Sequence, residues 1–215
     1  MDFAPLFNQI WNIAYILIPI AILAAVIKSA WFKGKVGEFS VNYAAKRLLD
    51  QDVYHLLKDV TIPAKGGTTQ IDHIIVSKYG VFVIETKNVK GWIFGSARQK
   101  TWTQKIYRHS TKFQNPLHQN YRHVQTLKAI LGLSEEQVFS VVVFAGDSTF
   151  KTNMPENVTK TRGYIQYIQS KQDIVLADEQ IQSIIKKIEK ARLAPSIKTN
   201  RGHARSLEQA KKVVK

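Results

Sequence analysis

Between Phe3 and Ile27 no residue carries a charge, and positions 10–27 are apolar almost throughout. A helix needs roughly 20 such residues to cross ~30 Å of hydrocarbon. The pattern therefore predicts a transmembrane anchor over residues 10–30, behind a short segment, 1–9. Asn12 and Pro19 weaken it, and Pro19 predicts a kink, because neighbouring groups re-satisfy the carbonyl that proline frees. Trp11, Tyr15 and Trp31 suit the two membrane interfaces. A cleavable signal peptide fits less well: the early charge is Asp2 rather than a basic cluster, and Lys28 stands where small residues are wanted before a cut. A buried core helix is the third reading of a run this long. Lys28, Lys33 and Lys35 follow the span and no base precedes it, so the expected arrangement is a single-pass protein of the cell membrane whose bulk faces the cytoplasm.

Beyond the span the periodicity changes. Phe39, Tyr43, Ala44 and Leu48 recur at helical spacing and predict a helix over residues 37–51. Residues 53–62 read as a strand, ended by a turn at Pro63-Ala64-Lys65-Gly66-Gly67. Residues 71–77 and 81–87 are β-rich runs separated by Lys78-Tyr79-Gly80, which predicts a hairpin. Residues 92–106 suggest one or two short strands. Pro116 then opens a helix that Gly132 closes. The apolar run 138–145 suits a strand buried on both faces. A short strand is expected at 164–168, and an amphipathic helix over 177–193 carries Ile181, Ile184, Ile185 and Ile188. Helix, three antiparallel strands, helix and strand make one α/β domain with a mixed sheet, in which a helix crosses over to return a parallel strand. That domain is expected over residues 35–176.

Charge changes the picture more than composition does. The chain of 215 residues carries 31 Lys+Arg against 16 Asp+Glu, a formal charge of +15, and no cysteine. Zero cysteine excludes a disulfide scaffold and a thiolate zinc site, and 45% hydrophobic residues exclude a disordered acidic chain. Residues 1–30 hold one acid and one base, so the whole excess lies beyond them. From residue 86 to 134 there is no Asp or Glu, whereas Lys87, Lys90, Arg98, Lys100, Lys105, Arg108, Lys112, Arg122 and Lys128 lie there. Trp92, Phe94, Trp102, Tyr107, Phe113 and Tyr121 are interleaved with them. Basic residues among aromatics suit a surface that binds phosphates and stacks bases, although several of these aromatics are expected in the core. Residues 194–215 form a second basic block, expected to be disordered, whose partner is DNA, RNA or anionic lipid headgroups.

The hairpin carries the candidate chemistry. Asp72 interrupts an apolar strand and Glu85 ends its neighbour. A two-residue loop at Lys78-Tyr79 pairs 77 with 80 and hence 72 with 85, which sets the two carboxylates ~5 Å apart at Cβ; a bulge at Gly80 would shift this by one residue. Two such carboxylates repel one another, and a divalent ion removes the penalty; hard oxygen ligands select Mg²⁺ or Mn²⁺. Side chains alternate along a strand, so Lys87 shares the face of Glu85 and Thr86 takes the other. There its ammonium is placed to hold an attacking water and offset charge on phosphorus, so the three residues together suit metal-assisted phosphodiester hydrolysis. His73 points to the opposite face as a packing residue. His118 and His123 on the basic helix read as phosphate neighbours.

Asp72…Glu85-Thr86-Lys87, in this order of elements, resembles the PD-(D/E)XK nuclease superfamily. Gly37-Glu38, the stretch from Gln70 to Gly95, and Asn115-Pro116 with Gln119 resemble more closely the nuclease-related domain (NERD) family, over roughly residues 35–145. The resemblance implies a restriction-endonuclease-like αβββαβ core, a Mg²⁺-dependent nuclease with a role in DNA processing. It implies that Asp72 and Glu85 are metal ligands, that Lys87 is the catalytic lysine, and that Glu38 is an accessory acid facing the metal. Gln119 then contacts the site or a phosphate. Ile71 replaces the proline of the superfamily motif. Two other readings stay open: a nucleic-acid-binding membrane anchor of the same fold that does not cut, and a membrane-surface module acting through the basic tail. Oligomeric state is not legible in the sequence.

Overall fold

The β-rich runs of the sequence assemble around one central sheet. In the computed structural model, which describes residues 4–64 and 67–194 (side chains from Trp11 onward, Asn12 apart), two long helices come first: α1 (Ala4–Lys28) and α2 (Ala30–Leu48). Strands β1 (His55–Ala64), β2 (Gly67–Ser77) and β3 (Gly80–Lys87) form the antiparallel meander read from the sequence. Strands β4 (Gly91–Phe94), β5 (Thr101–Ile106) and β6 (His109–Gln114) lead to α3 (Pro116–Leu131). Then come β7 (Val138–Phe144), β8 (Ser148–Phe150), β9 (Val158–Lys160), α4 (Gly163–Gln169) and α5 (Asp178–Ala191).

The central sheet runs β1-β2-β3-β7-β9, with β7 parallel to β3 and β9 parallel to β7. α3 is therefore part of the crossover that returns β7 beside β3, as expected of a mixed sheet. Its start is fixed by Asn115, whose Oδ1 accepts the Leu117 N–H at 2.9 Å, and by Pro116 in the first turn. Gly132 ends it in the left-handed conformation, φ 71°. One apolar layer joins Ile74, Val76, Val81 and Val83 to Val124, Leu127, Ile181, Ile184 and Ile188 of α3 and α5. The opposite layer joins Ile75, Phe82, Ile84, Val141 and Val143 to Val41, Ala44 and Ala45 of α2 and Tyr164 of α4.

Several expectations need correction. The sheet is not alone: β6-β5-β4-β8 form a second, four-stranded sheet. It packs Ile93 and Trp102 against Val142 and Phe144 of β7. Residues 164–168 are helical, not extended, because Tyr164, Ile165 and Ile168 are all buried, and the Tyr164 hydroxyl donates to the Val41 carbonyl at 2.6 Å. α2 begins at Ala30, earlier than residue 37, because Ser29 caps it through the Phe32 N–H. β1 runs through Pro63 and Ala64, which pair with Thr68 and Gly67. Among the described residues no single helix is long and apolar enough to cross a membrane; the pair Ile13–Lys28 and Ala30–Leu48, bent by 57°, meets that test jointly. Residues 195–215 lie outside the described part, and so does the disorder expected of them.

Candidate active site

The hairpin register is the one the loop arithmetic requires. Ser77 faces Gly80 and the count holds through His73 opposite Ile84, where the paired ladder stops one position short of Asp72 and Glu85. Gly80 makes the turn possible: its φ is +125°, and a Cβ there would meet the Phe139 ring at 2.7 Å. At Asp72 the ladder gives way. Its Oδ2 accepts the backbone N–H of Thr86 at 2.8 Å. On its other side the β1–β2 pairing passes from Lys58–His73 to Val60–Ile71, skipping Asp59, which has φ 51°. The sheet is thus loosened around one carboxylate, which stays half-buried where its neighbours are sealed.

Glu85 sits in different company. It is 2% exposed. Its Oε1 is 2.5 Å from the Lys87 ammonium, which also donates to Gln119 Oε1 at 3.0 Å. Its Oε2 lies 3.3 Å from His123 Nε2. His123 is held from behind by Thr69, whose Oγ1 is 2.7 Å from Nδ1. Gln119 and His123 are four residues apart and so share one face of α3. Asn120 sets that face over the strands: its Nδ2 lies within 3.1 Å of the Val83 carbonyl, the Val141 carbonyl and Ser140 Oγ.

α2 brings a third acid. Gly37 lets the helix close on β3, since a Cβ would stand 2.6 Å from Asn88 Cβ. Glu38, next along, pairs with Lys35 at 2.6 Å, and Lys35 also holds Asp59 at 2.8 Å. The charges split the two central carboxyls. Burial pushes Asp72 well above the ordinary carboxylate range, and the charges of Glu85 and Glu38 add to it. Burial pushes Glu85 the same way, but Lys87 and His123 outweigh it and hold that carboxyl below its usual value. His73, on the opposite face with Thr86, is lowered to about 4 by burial.

Among the described residues no three Asp, Glu or His side chains converge as a ready-made metal cage. The carboxylates of Asp72 and Glu85, close enough for the charge of Glu85 to act on Asp72, still match the donor chemistry of Mg²⁺ or Mn²⁺. Such ions are held through one or two carboxylates and keep several waters.

The basic block divides. Residues paired across a ladder share a face, so Trp92, Phe94, Thr103, Lys105 and Lys112 lie on one side of the second sheet and Ile93 and Trp102 on the buried side. Trp92 is half exposed, with the Lys151 ammonium 4.7 Å from its ring centre. An open cleft of about 650 Å³ on this side is lined by Phe94, Lys100, Thr103 and Lys112 among others. Lys90, Arg98 and Arg108 stand exposed on connecting loops, and Arg122 on α3. Trp102 and Phe113 are core or near-core residues, while Tyr107 and Tyr121 are exposed. His118 is a structural contact, 3.0 Å from the Ala97 carbonyl, and Asn115 gathers the carbonyls of Ser96, Ala97 and Gln99 over the start of α3.

Sequence reasoning missed four participants: His123 as the partner of Glu85, Asn120 as the pin of α3, and Lys35 with Asp59. The i, i+4 spacing of Gln119 and His123 was a usable signal for the first. Nothing local announces Asp59, whose role depends on a strand pairing.

The model of the nuclease-related domain (NERD) matches residues 33–145. The chain belongs to the nuclease-related domain family. An uncharacterized protein of Bacillus anthracis is 38% identical over 83% of this chain and 85% of its own length. No solved structure matches. A NERD chain of this kind is nuclease-like in general character, and the hairpin, α2 and α3 residues described above all lie inside the matched region.

Proposed function

We propose that this NERD protein is a divalent-metal-dependent nuclease that hydrolyses phosphodiester bonds of DNA, tethered to the cell membrane through α1 with its catalytic domain in the cytoplasm. The observation that carries the reading is a buried Glu85 paired with Lys87 beside Asp72 at the end of one hairpin, with the two carboxyls pushed in opposite directions by unlike surroundings. Asp72 and Glu85 are the residues that would hold Mg²⁺ or Mn²⁺, with Glu38 as an accessory acid. The ion, when bound, supplies Lewis acidity and a lower pKa for a bound water. Lys87 donates hydrogen bonds from a position fixed by Glu85 and Gln119, and from there orients the attacking water and offsets charge gathering on the phosphate oxygens. Water oxygen bonds to phosphorus and gives up a proton to solvent, the bond to the leaving sugar oxygen breaks, and that oxygen takes a proton from solvent in return. Lys105, Lys112, Lys100 and Trp92 supply a basic, partly aromatic surface for the strand, with Lys90, Arg98, Arg108 and Arg122 around it.

The test is cleavage of circular and single-stranded DNA by the full chain in detergent with Mg²⁺ or Mn²⁺. Lys87→Ala and Asp72→Asn are expected to lose at least about 10²-fold in rate, the scale of removing one preorganised electrostatic group. Equal rates in all three proteins exclude the assignment. A second reading, a non-cleaving nucleic-acid-binding anchor, is favoured by one observation: Glu85 is already saturated on one oxygen by Lys87. Salt-sensitive DNA binding in chelator, with no cleavage under either metal, selects it.

A further inference from the structure

α2 has two apolar faces, and the fold uses one. Gly37, Val41, Ala44 and Ala45 are buried against the central sheet. Phe32, Val36, Phe39 and Tyr43 follow at spacings of four, three and four, which places them on the opposite side of the helix. There Val36 is 45%, Phe39 69% and Tyr43 63% exposed. A helix face turned to water is ordinarily polar. Lys33, Lys46 and Arg47 flank this stripe, and no Asp or Glu shares its outward side. Across a groove of about 830 Å³ that Phe39, Tyr43 and Arg47 help to line stands Arg162, just ahead of α4.

We propose that this stripe is a membrane-docking face, with α2 lying along an anionic bilayer surface and its aromatic side chains in the headgroup–acyl boundary. The inference rests on the reading of α1 as the anchor. Continuity selects the bilayer: Ser29 alone separates α1 from α2, and the stripe opens within the first turn of α2. Geometry agrees, because the two axes differ by 57°, so a span tilted about 33° from the membrane normal lays α2 in the membrane plane. That tilt falls within the roughly 0–40° range of known spans. Charge agrees too: Lys33, Lys46, Arg47 and Arg162 without an acid suit anionic lipid, and a basic helix with aromatic residues on its immersed side is the composition of interfacial helices. Since α2 also carries Glu38, docking would fix the helix that delivers the accessory acid to Asp72.

The chain has no cysteine, so single labels are clean. Spin labels are attached through Val36→Cys, Phe39→Cys, Tyr43→Cys and, as a control on exposed β6, Ser110→Cys, in the full chain reconstituted into vesicles of phosphatidylcholine mixed with phosphatidylglycerol. Labels at 36, 39 and 43 are expected to be accessible to oxygen and shielded from a water-soluble nickel chelate, and the label at 110 the reverse. Lys46→Gln with Arg47→Gln should lower the immersed-to-exposed ratio by about fivefold per charge removed. Nickel accessibility at 39 and 43 equal to that at 110, in a chain that stays with the vesicles through alkaline extraction, overturns the docking face while leaving the anchor standing. Spin–spin broadening between chains labelled at 39 also overturns it, in favour of a second copy seated on the stripe. Loss of the chain on alkaline extraction rejects the anchor, whereas labels immersed before extraction still support the docking face.

Discussion

Asp72 and Glu85 are one methylene apart in chemistry and are pushed in opposite directions. Burial raises both, but Lys87 and His123 outweigh it at Glu85, whereas at Asp72 the Thr86 N–H and the charge of Lys87 do not outweigh burial and two acidic neighbours. A carboxyl disfavoured in its charged form costs stability at neutral pH. Asp72→Asn is therefore expected to raise the melting temperature of the metal-free protein, on a scale of about 2–4 °C per kcal/mol, even as it abolishes cleavage. His73 runs the other way. Its folded pKa, about 4, lies below the ordinary 6.5, so the unfolded chain takes up the proton first and stability drains as pH falls between those values. Chemical denaturation of the metal-free protein should show wild type losing up to about 3 kcal/mol over that window relative to His73→Gln, at 1.36 kcal/mol per pKa unit; parallel pH profiles would refute a buried neutral histidine.

At the scale of elements, α3 is the part that turns a hairpin into a site, and Asn120 sets its position. Asn120→Ala leaves two strand carbonyls without that donor, so a loss of about 1–3 kcal/mol is expected in urea unfolding, with cleavage reduced although no reacting group is touched. Unchanged stability would mean that α3 is held by its apolar face alone. The same scale shows what the sequence made legible. The hairpin register from Ser77–Gly80 to His73–Ile84 followed from a two-residue loop with no bulge at Gly80, and α3 was bounded by Asn115, Pro116 and Gly132. β6 was missed because His109, Ser110, Thr111 and Lys112 are solvated edge residues whose order comes from pairing with β5, not from their own pattern. Residues 164–168 were misread because seven helical residues are too few to show a period. His123 was misassigned because the helix was read for charge rather than for which side chains share the face of Gln119.

For the whole molecule, the excess of positive charge lies beyond the first thirty residues, and part of it is gathered on the outward side of the second sheet. Phosphate contacts release counterions, and log affinity for duplex DNA falls by about 0.9 per phosphate neutralised for each unit of log salt. Lys105→Gln with Lys112→Gln should thus flatten the salt dependence of DNA binding in chelator by about 1.8 in slope. Asp72→Asn should leave it unchanged. Slopes equal in wild type and the lysine variant would move the nucleic acid to another face. On the proposed function and the proposed docking face, one NERD chain would join three surfaces: a hairpin for chemistry, a basic sheet for the strand, and a helical stripe for the bilayer.

The central claim is that Asp72 and Glu85 share one dication. Calorimetric titration of the full chain in detergent with Mn²⁺ tests it directly. One ion should bind per chain, and Asp72→Asn and Glu85→Gln should each abolish that binding. Binding that survives in both variants, or no Mn²⁺ binding by the wild type, contradicts it.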